Sequence, residues 1–185
     1  IAALTVDRGH VVSRDGETLC ALATASDDDD VMTHARWVEV LGRDALTRRF
    51  YRALEGVVTR LADVATTRAD IADRREVALL WLSRLLFLSF LESKGWLDGD
   101  RRFLARHFEE CAGRAGGAHR RFFLPLFFGT LNTPVDKRAA AARDFGIIPF
   151  LNGGLFARSP LERRHALDFP DDALAGVFDD LLTRY

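Results

Sequence analysis

A mainly α-helical bundle, with a small N-terminal β-meander and one irregular Asn-Gly-Gly loop, is the fold this sequence predicts. Three observations carry the prediction. From residue 44 onward apolar side chains recur at spacings of three and four, the period of one helix face. Helix start and stop signals bracket the most apolar stretch, "VALLWLSRLLFLSFL" at 77 to 91. Ahead of residue 30 the pattern changes to short apolar and β-branched runs punctuated by Gly9 and Gly16.

The first 30 residues read as a β element and an acidic loop. "ALTV", "HVVS" and "ETLCALA" are separated by turns at Asp7-Arg8-Gly9 and Arg14-Asp15-Gly16, and "SDDDD" (26 to 30) is a solvated loop or an acidic approach to the next helix. Residues 31 to 185 then form a helical domain. In "DALTRRFYRALEGVVTRLADVA" Asp44 is the expected N-cap, and Leu46, Phe50, Leu54, Val57, Val58, Leu61 and Val64 share a face.

A long helix over 73 to 94 follows. Asp73 is read as its N-cap with Glu76 three residues on, Gly95 as its left-handed stop, and Trp96 as packing back on Leu91. Because this helix is apolar on nearly every side, it is expected at the centre of the bundle. "RRFLARHFEECA" (101 to 112) predicts another helix, broken by "GRAGGA". Pro125 restricts the aromatic run at 119 to 134 to a helix start or a kink. A short helix ending at Gly146 leads into "GIIPFLNGGLF", where Asn152-Gly153-Gly154 is expected to turn through positive φ. Asp171 or Asp172 opens the last helix, with Leu174, Val177, Phe178, Leu181 and Leu182 inward.

Composition narrows the function classes. A chain of 185 residues, 48% hydrophobic and 29% charged, holds one domain or one with a small extension, and falls in the ordinary globular class. Its net charge of -1 gives no global basic signal, yet the positive charge is almost all arginine, with only Lys94 and Lys137 as lysines. That bias reflects either base composition of the gene or a use of guanidinium forks for phosphate and carboxylate. Two cysteines, Cys20 and Cys111, make no disulfide framework and point to a reducing, cytoplasmic setting. The apolar run at 77 to 91 is too short for a membrane span and carries Arg84 in its middle, so no membrane role is expected. The chain opens at Ile1 and its last helix carries no stop signal, so it reads as a piece truncated at both ends.

The sequence offers no catalytic site. Gly113, Gly116 and Gly117 follow a helix, with no strand ahead of them to build a phosphate cradle. His107, Cys111 and His119 fall short of the four ligands of structural zinc, so no metal is expected. Glu92-x-Lys94 matches half of a metal-dependent nuclease pattern but stands at a helix end, and no serine occupies a Gly-x-Ser-x-Gly elbow. What remains is the basic clusters: Arg48, Arg49 and Arg52, then Arg101, Arg102 and Arg106, with further pairs at Arg120-Arg121 and Arg163-Arg164. On helices these spacings place guanidinium groups on one face, as DNA phosphates require, although solvated arginines on amphipathic helices have the same pattern.

"ALTRRFYRALEGVVTRL", "RLLFLSFLESKGWL", "FFLPLFFGTLNTP" and "FGIIPFLNGGLF" followed by "SPLE" together resemble, in order, the region ahead of the methyltransferase domain in large adenine-specific DNA methyltransferases. Those enzymes occur in type IIG restriction-modification and in phage-defence systems of the BREX and DISARM kind. The resemblance covers residues 44 to 185. It implies a helical accessory domain that helps hold DNA and adjoins an S-adenosylmethionine-dependent methyltransferase domain, with or without a fused endonuclease. Pro149, Phe150, Leu151, Asn152, Gly153, Gly154, Leu155 and Phe156 would then form a domain-docking loop; the alternative is a self-contained core turn.

The departures from that family limit what can be carried over. Neither a Phe-x-Gly-x-Gly cofactor loop nor an Asn-Pro-Pro-Tyr motif occurs in these 185 residues, so no catalytic residue is implied. S-adenosylmethionine is expected in the parent chain, not here. A reading from another class also stands: a helical protein-interaction module that binds a partner through the 146 to 156 loop without any nucleic acid role.

Overall fold

The computed structural model describes residues 20, 22, 30–151 and 153–182. The predicted β-meander lies outside the described residues. The described chain is mainly helical and carries no named strand; one isolated antiparallel bridge joins Thr66 to Asp168. It divides into two compact units, residues 1–54 and 55–185.

Helix α1, Asp30–Val64, is 35 residues long and crosses that division. Asp44 is therefore interior to a helix and is not its N-cap. Its N-cap signal was overridden because the residues before it, "DVMTHARWVEVLG", contain no proline and only one glycine, so helical propensity continues through them. In the first unit the Trp37 indole N–H donates to the Leu22 carbonyl at 3.0 Å, and Phe50 meets Tyr51 edge-on. The predicted apolar face is only partly covered: Val57 and Leu61 are buried, whereas Leu46 and Val64 are exposed.

The second unit is organised around α2, Ile71–Ser93, which packs against several later segments. Asp70, not Asp73, is its N-cap; the Asp70 carboxylate accepts from the Asp73 N–H at 2.9 Å. Two aspartates three apart give the same local signal, and Asp73 instead faces His165, 3.5 Å away. The other end follows expectation. Gly95 is left-handed (φ 72°), its N–H reaches the Glu92 carbonyl at 2.8 Å, and the Trp96 N–H reaches the Leu91 carbonyl at 2.9 Å. That is a complete Schellman stop. The Trp96 ring stays largely exposed and meets Phe90 edge-on, with centroids 6.5 Å apart.

Val77, Ala78, Trp81, Leu82, Leu85, Leu88 and Leu91 of α2 are buried, as a central helix requires, but Leu79, Phe87 and Phe90 leave one exposed side. Helix α3, Phe103–Cys111, buries Phe103 and Leu104. Two π-helical segments, His119–Phe123 and Pro125–Leu131, then supply Phe122, Phe123, Leu126, Phe127 and Leu131 to the core. Pro125 cannot donate the bond a regular turn needs, and the hydroxyls of Thr130 and Thr133 donate five residues back, to the Pro125 and Phe128 carbonyls. Phe123 meets Trp81 edge-on at 5.0 Å, and Phe169 meets it at 5.7 Å, which closes the core.

The remainder is short: α4 (Ala140–Arg143), α5 (Pro160–Arg164) and α6 (Asp171–Val177), which continues as a π-helical turn, Phe178–Leu182. Leu174, Val177 and Leu181 point inward as predicted, while Phe178 and Leu182 are only partly covered. Helix α5 carries a full capping box between Ser159 and Glu162.

Candidate functional site

The 146 to 158 segment is fastened by two buried arginines, neither of which its own sequence announces. Arg84, at the middle of α2 and fully buried, donates from Nε to the Leu155 carbonyl at 2.6 Å and from Nη2 to the Ala157 carbonyl at 2.9 Å. Its other bonds form a two-pronged pair with Glu162, at 2.5 and 3.0 Å. Arg138, 5% exposed, donates to the carbonyls of Thr133, Ile148 and Pro149, and burial lowers its pKa from the ordinary arginine value. Both guanidinium groups hold backbone, so the loop's side chains are left to other uses. Sequence reasoning treated Arg84 only as an obstacle to a membrane span; the sign of its partner was the Ser159-x-x-Glu162 box seventy-five residues later.

Those side chains divide into two sets. Ile148 and Phe156 are buried and anchor the loop, whereas Ile147 is 84% and Phe150 40% exposed. Leu151, Gly153, Leu155 and Phe156 form, with Phe87, a shallow apolar groove of about 380 Å³. The expected positive-φ turn is not found at the described glycines: Gly153 has φ -132° and Gly154 opens a 3-10 turn, while Asn152 lies outside the described residues. The left-handed residue is Gly146, six positions earlier, where the Ile147 N–H meets the Asp98 carboxylate at 2.9 Å. Pro149 takes part through its carbonyl, which accepts from Arg138 at 3.2 Å.

The arginine candidates fall in separate settings. Arg49 and Arg52 are exposed on α1, with Arg52 Nε 3.4 Å from the Arg48 carbonyl, and Arg48 is half-buried. Arg101 and Arg102 stand exposed at the entrance to α3. Arg102 lies 3.6 Å from Glu109, and Arg106 is engaged twice, by Asp100 at 2.9 Å and Glu110 at 3.3 Å. The backbone N–H of Arg102 and the Arg106 side chain hold the Asp100 carboxyl below its usual range. Arg106 is thus the most committed of the three to carboxylates.

Glu92 supplies the cap that α3 lacks. Its carboxylate accepts from the Leu104 N–H at 2.7 Å, at a helix whose N-cap Arg102 makes no side-chain bond. Burial raises the Glu92 pKa in spite of that bond. Asp171 does similar work for the glycine loop, accepting from the Gly113 and Ala118 N–H groups at 2.8 and 2.7 Å. The loop's backbone donors therefore cradle an internal carboxylate.

His107 is lowered in pKa by burial and by the Arg106 charge, and stacks on Phe122 with centroids 5.3 Å apart. Burial raises the Cys111 thiol. Among the described residues no three His, Cys, Asp or Glu side chains gather as metal ligands, and no helix is long and apolar enough to cross a membrane.

A larger cleft, about 420 Å³, opens between α2, the first π-helical segment and α5. Its wall includes Trp81, whose buried indole N–H has no acceptor among the described residues. Leaving such a donor unpaired costs about 1–3 kcal/mol. Asp168 accepts from His119 Nδ1 at 2.8 Å and Arg120 Nε at 2.6 Å; burial opposes its ionisation, but these two partners prevail and hold its carboxyl low.

Comparison with known proteins gives one relative. Over 118 residues, 61% of its length, the chain is 32% identical to a candidate type II restriction enzyme and methyltransferase from Methanocaldococcus jannaschii. The chain covers 10% of that protein. No family model and no solved structure matches it. The similarity links the chain to restriction-modification proteins.

Proposed function

We propose that the chain is a helical accessory region of a cytoplasmic restriction-modification polypeptide, non-catalytic by itself, that contacts DNA phosphates beside an S-adenosylmethionine-dependent adenine methyltransferase domain. The observation that carries this reading is the 32% identity over 118 residues to a protein described as both restriction enzyme and methyltransferase. The motif order described above supports the adenine-specific class and a role in phage defence. Exposed Arg49, Arg52, Arg101 and Arg102 are the residues best placed to meet phosphates, with Arg48 and Arg106 contributing less.

Fluorescence anisotropy on duplex DNA at rising salt tests the DNA role. Weak binding is expected that falls with salt by about 0.9 log units per log unit of salt for each phosphate contacted. Arg101→Ala/Arg102→Ala should lower both affinity and slope, and Arg106→Ala should do so less. Binding that ignores salt, or none at millimolar protein, overturns the DNA role.

A second reading, an interaction module without nucleic acid, is favoured by the apolar groove beside exposed Phe150. In the first reading the adjoining methyltransferase domain covers this loop; in the second a separate protein does. Phe150→Asp and Leu155→Asp should abolish self-association or partner binding in the second case. Unchanged association in both variants removes it.

A further inference from the structure

We infer that the 420 Å³ cleft walled by Trp81, Leu124, Arg158, Arg163 and Phe169 is a binding site for a phosphorylated ligand of about mononucleotide size. The charge balance comes first. One carboxylate lines this cleft, Glu162, and it is spent on Arg84; Asp168, bound to the lining His119 and Arg120, and Asp73, 3.5 Å from the lining His165, are likewise engaged. Arg158 and Arg163 are exposed and, among the described residues, have no carboxylate within ion-pair distance; Arg158 is steadied instead by the Phe128 ring, 4.0 Å away. Two unneutralised guanidinium groups at the mouth of one cleft recognise a dianion, and their planar forks suit phosphate.

The size and the rest of the wall exclude a bare ion as the whole ligand. The volume lies within the range of small-molecule sites, roughly 300–1,000 Å³. Leu124, Ala166 and Leu167 present apolar surface for a ligand body. Trp81, in the same wall, supplies a reporter. A buried indole N–H ordinarily has a partner, and this one, in the cleft wall, has none among the described residues. The ring lines the cleft without exposing that N–H, so its indole resonance reports occupancy while the phosphate sits on the arginines. The site uses none of the arginines of α1 and α3, so it does not rest on the duplex-binding reading.

The test titrates AMP, inorganic phosphate and a 5′-phosphorylated single-stranded oligonucleotide, separately, into nitrogen-15-labelled protein at low salt. The readout is the Trp81 indole resonance, one of three such signals and assigned by Trp81→Phe. A saturable shift with AMP that Arg158→Ala/Arg163→Ala weakens about tenfold or more supports a free nucleotide as ligand. The same behaviour with the oligonucleotide alone supports a strand end. A shift of equal size and affinity with inorganic phosphate overturns the assignment of a ligand body. An unmoved Trp81 resonance with all three probes, or shifts that the double variant leaves intact, overturns the site. Arg101→Ala/Arg102→Ala is the control: it should leave this titration unchanged even where it weakens duplex binding.

Discussion

Arg84 shows how much can rest on one side chain inside an apolar run. Removing it leaves Glu162, 10% exposed, without its partner and frees the carbonyls of Leu155 and Ala157. Breaking one side of such a buried pair costs about 3–5 kcal/mol. Arg84→Met should therefore destabilise the chain by about that amount in urea denaturation. Glu162→Leu should cost a similar sum, since it also removes the capping box of α5. Once one partner is gone, losing the other matters less, so the double variant should fall short of the two losses added. Strict additivity would mean that the pair is not coupled. Arg84→Lys tests geometry separately, because an ammonium cannot make the two-pronged contact and reach both carbonyls.

At the level of elements, the readable parts of the sequence were those specified within a few residues. The stop of α2 at Gly95, the break after Cys111 and the helical start at Pro125 each follow from a local rule, and each is found. What eluded sequence reasoning was decided at a distance or by competing signals. Asp70 and Asp73 have equal claims as caps in sequence, and only the Asp70 carboxylate bond to the Asp73 N–H tells them apart. The glycines at 153 and 154 fit a positive-φ turn, yet the carbonyl bonds to Arg84 and Arg138 hold the loop in another course. Of the candidate site, the arginine clusters and the apolar loop were legible, whereas the cleft at Trp81 was not, because it joins residues from 77 to 169.

Two glycines test this account of the turns. A side chain at Gly95 meets nothing within 4 Å, so Gly95→Ala should cost only the left-handed conformation, about 1 kcal/mol. At Gly146 the φ of 78° is accompanied by the Asp98 carboxylate, 2.4 Å from where a Cβ would stand. Gly146→Ala should cost clearly more in chemical denaturation. Equal losses would contradict the close approach.

For the molecule as a whole, the titrating groups of residues 55–185 pull stability in opposite directions as pH falls. His107 is held below the ordinary 6.5, so between its folded value and 6.5 the unfolded chain binds more protons, and stability declines as acid is added. Glu162, held below 4.5 against burial by Arg84 and Ser159, and Asp168, held below 3.8, contribute stability that is present above those ordinary values. It is lost as pH drops through their folded ones. Glu92 acts the other way. Its pKa is raised above 4.5 by burial, so in the window just above 4.5 the folded state takes up a proton before the unfolded chain does. Acid therefore stabilises through Glu92 while it destabilises through His107. Glu92→Gln removes the opposing proton uptake yet keeps an oxygen to accept from the Leu104 N–H. Unfolding free energies measured from pH 7 to 4.5 should consequently fall more steeply in Glu92→Gln than in the parent chain. A parallel or shallower profile would show that the Glu92 carboxylate carries no burial cost and caps α3 as a fully ionised group.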